Sequence, residues 1–456
     1  MNLPIHHPQA GVPNATAEIA LANSYPLIRV FTVGQGTSSP TPLMELATIE
    51  QNWSVAANTS VGGPGWDYMS AVCWFTYRDV FDSLGGTVPQ GLISDNWGGT
   101  PIQHWSSPDA MKVCNGGTDS TLWNAMVVPY TVGPMAVRTA IFYQGEANVG
   151  QAAYYDCQFT AMIADWRVKL PGLSTFGFVQ MQVREAKPRP PARPLTRPPA
   201  RPRTALLTPD PSSRALGQLV PRLRSAAYTG YGNNPGGDLR QAQLSPIKNL
   251  PRIAMATAID LVFPFSSPSD IHPTAKQAVS LRLANSILAQ EYGLNTGPSV
   301  SPYYSGATTT TDGTAISVTV SLTGCIGGCT NSVPYFVPPG VTAAQAAGFM
   351  IQTNDPAKTW WNATATPSAD GQSLVLAVTA PAAGFAAIAS SYGRATWPVV
   401  TAYNALGLPV MPWCFTLGGV PCYTASDETG TEPSGPAAPR FHELESYASK
   451  DRAARS

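Results

Sequence analysis

Histidine and charge are what this chain has least of. Five histidines, and charged side chains at only 12% of 456 residues, leave few groups for proton chemistry or long-range fields. The formal net charge is zero but unevenly spread. From Arg184 to Ser225 ten Lys and Arg stand against two acidic residues, so the remainder carries seventeen basic and twenty-five acidic ones. A mildly acidic body is not the footprint of a nucleic-acid binder, and no such partner is expected. No apolar run is long enough to span a membrane, and none of signal-peptide length follows Met1. The pairs Cys325/Cys329 and Cys414/Cys422 have no histidine nearby, so short-loop disulfides are expected there and no metal. The odd total of seven leaves Cys73, Cys114 and Cys157 to share. With sequons at Asn14, Asn52, Asn58 and Asn362, the cysteines point to the secretory route.

Glycine (40) and proline (44) are plentiful, and they punctuate a readable pattern. Leu27 to Val33 alternates as a strand and stops at Gly34-Gln35-Gly36. Trp66 to Leu84 predicts a helix, Val88 to Ser94 a buried strand ending at Asn96-Trp97-Gly98-Gly99-Thr100, and Thr121 to Val127 a short helix. Val137 to Tyr143 gives another strand, running into Gln144-Gly145-Glu146-Ala147-Asn148. Tyr154 to Leu170 then returns as a helix, and Phe176 to Val183 as a strand. Strands alternating with helices argue for a parallel sheet covered by helices, with its site beyond the carboxyl ends of the strands. Both glycine turns fall there.

Residues 184–237 break the pattern. Their Pro/Arg/Ala composition cannot bury a core. Retained non-coding sequence is the preferred reading, ahead of a basic partner-binding linker. Order resumes over 238–296, with a strand from Ile253 and a helix over Thr274 to Gly293 that follows the loop Asp270-Ile271-His272-Pro273. From about Pro302 short Thr/Val/Ser runs predict an all-β, sandwich-like module over 302–420, and 426–456 reads as a disordered tail.

Of the five histidines, His272 has the setting of a general base: a polar loop ahead of an amphipathic helix, with Asp270 two residues away to orient the ring. Gly98 and Gly99 can offer backbone N–H groups to an oxyanion, and Gln144 a side-chain N–H. Glu146 is suited to orienting a partner or binding substrate hydroxyls. Trp97, like Trp105 and Tyr143, offers a face for a sugar ring, whereas core packing is the favoured reading for Trp123.

These stretches resemble the sialate O-acetylesterase family of the SGNH-type hydrolases. The likeness is carried by Gly91-Leu92-Ile93-Ser94 through Ile102, Leu122-Trp123-Asn124-Ala125-Met126 and, above all, Phe142 to Asn148. It continues through Leu239-Arg240-Gln241-Ala242-Gln243, Met255 to Asp260, Asp270-Ile271-His272-Pro273 with Lys276-Gln277, and Ala402-Tyr403-Asn404 with Gly407-Leu408-Pro409. It runs in order over roughly 10–183 and 238–417.

The resemblance implies a three-layer SGNH-hydrolase-like α/β domain, split into 1–183 and 238–296, with a C-terminal all-β module. It implies a secreted or lysosomal O-acetylesterase acting on O-acetylated sugar without a cofactor. His272 and Asp270 would serve the base, Gln144, Gly98 and Gly99 the oxyanion, and Glu146, Asn148, Trp97 and Arg240 the substrate. Acetylated xylan, or glycan binding without hydrolysis, are the rival readings.

The family's nucleophile is a serine in a Gly-Gln-Ser-Asn-Met turn. Met1 aligns with the methionine of that turn, so the chain as written is expected to lack the serine. Gly34-Gln35-Gly36-Thr37-Ser38 imitates the turn with glycine in the serine's place.

Overall fold

A computed structural model describes residues 4–5, 7, 12, 14–63, 68–114, 119–133, 135–170, 172–182, 235–261, 275–294, 299–332, 342–395 and 398–422. The Pro/Arg-rich insert up to residue 234, the loop holding Asp270 and His272, and the tail from 423 lie outside them.

The first part of the chain alternates strands and helices as its periodicity predicts. Strands β1 (Ile28–Val33), β2 (Ile49–Val55) and β3 (Gln90–Ser94) form one sheet in the order β2-β1-β3. Here β1 and β3 run parallel, and β2 is an antiparallel edge. Strands β4 (Val137–Phe142), β5 (Gly172–Gln182) and β6 (Ile253–Thr257) form a second, wholly parallel sheet in the order β4-β5-β6.

Helices cover both faces. Five matter here: α1 (Ala15–Leu21), α2 (Ala71–Ser83), α3 (Ala152–Lys169), α4 (Pro235–Ala242) and α5 (Lys276–Tyr292). Successive strand residues point to opposite layers, as the pleat requires. Phe178 packs with Tyr155, Phe159 and Met162 of α3, while its neighbour Val179 packs with Val279, Leu283 and Ile287 of α5. Each such fully buried aliphatic or aromatic side chain stabilises the fold by about 1.5–3 kcal/mol.

The helix ends follow the sequence chemistry. Ser70 caps α2, its Oγ accepting from the Cys73 N–H at 3.3 Å. The left-handed turn that ends α5 falls on Gly293, with φ of 66°. The 121–127 stretch differs from expectation: Trp123–Val127 winds as a π-helical turn, with all five residues buried.

From Tyr303 onward the chain builds two four-stranded antiparallel sheets. One has the order β12-β13-β8-β7 (β7 Tyr303–Asp312, β8 Ala315–Thr323, β12 Thr364–Pro367, β13 Ser373–Thr379). The other is β11-β10-β14-β16 (β10 Phe349–Thr353, β11 Trp360–Asn362, β14 Ala387–Tyr392, β16 Trp413–Thr416). Ile316, Val318, Val320 and Leu322 alternate inward against Phe349, Ile351, Trp413 and Phe415, the two-residue period of a half-buried strand. A short antiparallel pair, β9 (Cys329–Asn331) and β15 (Ala402–Asn404), closes one end.

The disulfides expected at Cys325–Cys329 and Cys414–Cys422 are present. Cys114 pairs with Cys157 across 43 residues, tying the stretch after β3 to α3, and Cys73 is left as a buried thiol. All four sequon asparagines are exposed. Among the described residues no helix is long and apolar enough to cross a membrane.

Candidate active site

The turns at the carboxyl ends of β1, β3 and β4 meet. After β1, the Gln35 side chain donates to Asn96 Oδ1 at 3.2 Å, and Asn96 donates to Ser94 Oγ at 2.7 Å. After β3, Gly98 and Gly99 are exposed, and an added Cβ at either would meet nothing within 4 Å. Gly99 has φ of 78°, a left-handed backbone that only glycine adopts without strain. Neither N–H has a backbone acceptor among the described residues. Thr100 closes the turn by donating to the Trp97 carbonyl at 2.6 Å and accepting from Trp105 Nε1 at 2.9 Å.

Gln144 sits opposite, just past β4, and its carboxamide is fully engaged. Nε2 donates to the Thr100 carbonyl at 3.1 Å and to Asn148 Oδ1 at 2.8 Å, while Oε1 accepts from the Tyr155 hydroxyl at 3.0 Å. In this geometry Gln144 locks the β4 turn to the β3 turn.

Asn148 was expected to touch substrate; the structure corrects this. It is fully buried, accepts from the Ile102 N–H at 2.9 Å, and donates to Gln103 at 2.8 Å and Gln151 at 2.9 Å. It holds the two turns together from behind. Asn148→Ala should therefore destabilise the protein by about 2–3 kcal/mol, since several buried partners lose their bonds at once. Denaturant unfolding of the two proteins tests this, and a loss under about 0.5 kcal/mol would show that the hub is dispensable.

Arg240, expected to serve the substrate, is fully buried and donates to the Gly393, Arg394 and Ala395 carbonyls at 3.2, 3.4 and 2.8 Å, so it fastens α4 to the β module.

Beneath the turns lies a cavity of about 720 Å³, lined by Trp97, Gly98, Gly99, Gln144 and Glu146 among others. Trp97 is half-buried there, with a face to offer. One Glu146 carboxylate oxygen is buried without a hydrogen-bond partner among the described residues. Burial pushes this carboxyl above the usual carboxylate range, and Lys276 draws it partly back. Lys276, at the start of α5, is itself 1% exposed. Burial pulls its ammonium down to about 7 against the opposing pull of Glu146, and Nζ lies 5.6 Å from the centre of the Tyr143 ring.

Two lining residues escaped the sequence reading. Asp95 and Tyr130 each present a buried oxygen with no hydrogen-bond partner among the described residues, and burial pushes both groups' pKa upward. The signal for Asp95 was its position, the first residue beyond the carboxyl end of β3.

His272 and Asp270 lie outside the described residues. Of the described histidines, His104 pairs with Asp119 at 2.9 Å away from the cavity lining. Ser38 is exposed and does not line the cavity either. Among the described residues no group of three His, Cys, Asp or Glu side chains is placed to hold a metal ion.

Amide donors at the carboxyl ends of parallel strands, above a cavity and between two helical layers, define an α/β hydrolase-like fold. A solved carbohydrate acetylesterase from Xanthomonas citri shares this fold, with a TM-score of 0.63 at 24% identity over 91% of this chain and 78% of that one.

No family model matches the chain. The expected likeness to the sialate O-acetylesterase family is nonetheless borne out. The chain is 30% identical over 305 residues to the sialate O-acetylesterases of Pongo abelii and Homo sapiens, and 28% identical over 330 residues to that of Rattus norvegicus. The alignment with the first takes in 61% of this chain and 50% of the relative, so the chain spans about half the length of the curated relatives it matches.

Proposed function

We propose that this chain carries the scaffold of a carbohydrate O-acetylesterase of the sialate O-acetylesterase type, built on an SGNH-type domain. The observation that carries the reading is the joining of the Gly98–Gly99 turn to the Phe142–Asn148 turn through Gln144, over a cavity edged by Trp97 and Glu146. These are the motifs that resemble the family.

In the proposed reaction a serine hydroxyl attacks the acetyl carbonyl of a sugar ester while His272 takes the hydroxyl proton. The carbonyl oxygen becomes an oxyanion, and the Gly98 and Gly99 N–H groups hold it. His272 returns the proton to the departing sugar hydroxyl, leaving an acetyl-enzyme. Water, deprotonated by the same histidine, then releases acetate and restores the serine. Gln144 and Asn148 position the donors, Glu146 receives a sugar hydroxyl, and Trp97 offers a stacking face.

The test is acetate release by the protein purified from its native source, with O-acetylated sialic acid and acetylated xylan as parallel substrates. Release from the sialic acid alone fits the sialate type. Release from xylan alone keeps the esterase and changes the substrate. Binding of both glycans with no acetate formed would replace the enzyme with a carbohydrate-binding protein.

A further inference from the structure

The alternating pattern of the sequence predicts one continuous parallel sheet, yet the structure holds two half-sheets. Among the described residues β3 pairs only with β1, and β4 only with β5, so one long edge of each has no described strand neighbour. The two strands nevertheless belong side by side, because Gln144, just past β4, bonds the Thr100 carbonyl, just past β3. The cavity of about 720 Å³ lies between them and is lined by every residue of Gln90–Ser94 and every residue of Val137–Phe142. It is as long as the strands themselves.

Two side chains of α2 reach main-chain acceptors of these strands. The Tyr77 hydroxyl donates to the Thr139 carbonyl at 3.1 Å, and the Cys73 thiol to the Ile93 carbonyl at 3.8 Å. A phenol and a thiol thus serve acceptors that ladder N–H groups serve elsewhere in a sheet, and the thiol is a weak donor. At the other end of the gap, both polar atoms of the Gln90 carboxamide are buried without a partner.

We infer that the gap between β3 and β4 is a seat for an extended polypeptide segment of about six residues, which would complete the sheet by main-chain pairing. Two facing rows of backbone groups at strand repeat are matched by another backbone and by no small apolar molecule. Because helices cover both faces of the sheet, the segment should be apolar on both sides, rich in Val and Ile. Its arrival displaces the Tyr77 hydroxyl from Thr139 and the Cys73 thiol from Ile93. This inference does not rest on the esterase reading, and its test does not use activity.

The probe is a fluorescein-labelled peptide, Lys-Val-Ile-Val-Val-Ile-Gly-Lys, titrated against the intact protein, with amide hydrogen exchange followed in β3 and β4. Saturable binding is expected, together with at least tenfold slower exchange of amides in both strands. Tyr77→Phe should bind several-fold more tightly, because it no longer competes for the Thr139 carbonyl. The inference is overturned if the amides on the facing edges are already as protected as those of β5 without peptide, since β3 and β4 then pair with each other. It is equally overturned if saturating peptide adds no protection. Uptake of the dye anilinonaphthalene sulfonate with no peptide binding would make the gap a small-molecule pocket instead.

Discussion

In a form of the protein that carries the nucleophile serine, replacing His272 by alanine is expected to lower turnover of acetylated sugar by about ten-thousand-fold while leaving KM within a few-fold. The asymmetry follows from the role. A general base acts as the proton moves in the transition state, so its loss is felt in kcat, whereas the contacts that bind the ground state stay in place. His104→Ala is the matched control. That histidine has its own carboxylate, Asp119 at 2.9 Å, but does not line the cavity, and its removal should change turnover less than about threefold. Steady-state acetate release by the three proteins decides the matter. Turnover within tenfold of the parent in His272→Ala would remove this residue from the mechanism, and a large loss in His104→Ala would put the base on the other histidine.

The parts of the site that sequence could reveal are those whose chemistry is local. Gly98-Gly99 announces a tight turn at a strand end, and the structure needs the left-handed φ of 78° at Gly99. Gln144 and Glu146 stand out for the same reason, as polar residues directly after an apolar run. The roles of Asn148 and Arg240 were not legible, because they depend on partners distant in sequence. Asn148 bonds Ile102 and Gln103, and Arg240 bonds carbonyls more than 150 positions away. A polar residue inside a motif reads as a substrate contact until its bonding is counted. Here the count is full for Asn148, which leaves nothing for a ligand.

In the fold, period and composition carried most of the strands. Val137 to Tyr143 became β4 over Val137–Phe142, and Leu27 to Val33 became β1 over Ile28–Val33. The edge strand β2 escaped. Its Glu50, Asn52 and Trp53 are exposed, so it shows little of the apolar run that marks a buried strand. β7 escaped as well, since a run of threonines mostly facing solvent has no hydrophobic period to detect. The Cys114–Cys157 pairing could not be deduced from three unassigned cysteines. Nor could the split between β3 and β4, because periodicity identifies strands one at a time and says nothing of which neighbours they meet.

The second large effect is expected at the seam between the α/β part and the β module. Arg394 forms an ion pair with Asp238 of α4, both largely buried, and its other guanidinium nitrogen donates to Cys414 Sγ at 3.1 Å. The seam is tight as well as charged: a Cβ on Gly237 would lie 2.6 Å from the Arg394 carbonyl. Arg394→Met should destabilise the protein by about 3–5 kcal/mol, because the Asp238 carboxylate stays buried after its cation is gone. Converting both partners, Arg394→Met with Asp238→Leu, should recover much of that loss, since the desolvation cost of the pair disappears along with its attraction. Denaturant unfolding of the parent, the single variant and the double variant measures this. If the single variant unfolds at the parent's midpoint, the pair contributes nothing net. If the double variant is no more stable than the single one, the loss comes from the packing of the arginine stem and its bond to Cys414, and the stranded charge is not its cause. The distinction bears on the site, because α4 ends at Ala242 beside Gln243, whose side chain donates to the Gln144 carbonyl at 3.0 Å. A seam that holds α4 in place therefore also steadies the turn on which the proposed oxyanion donors depend.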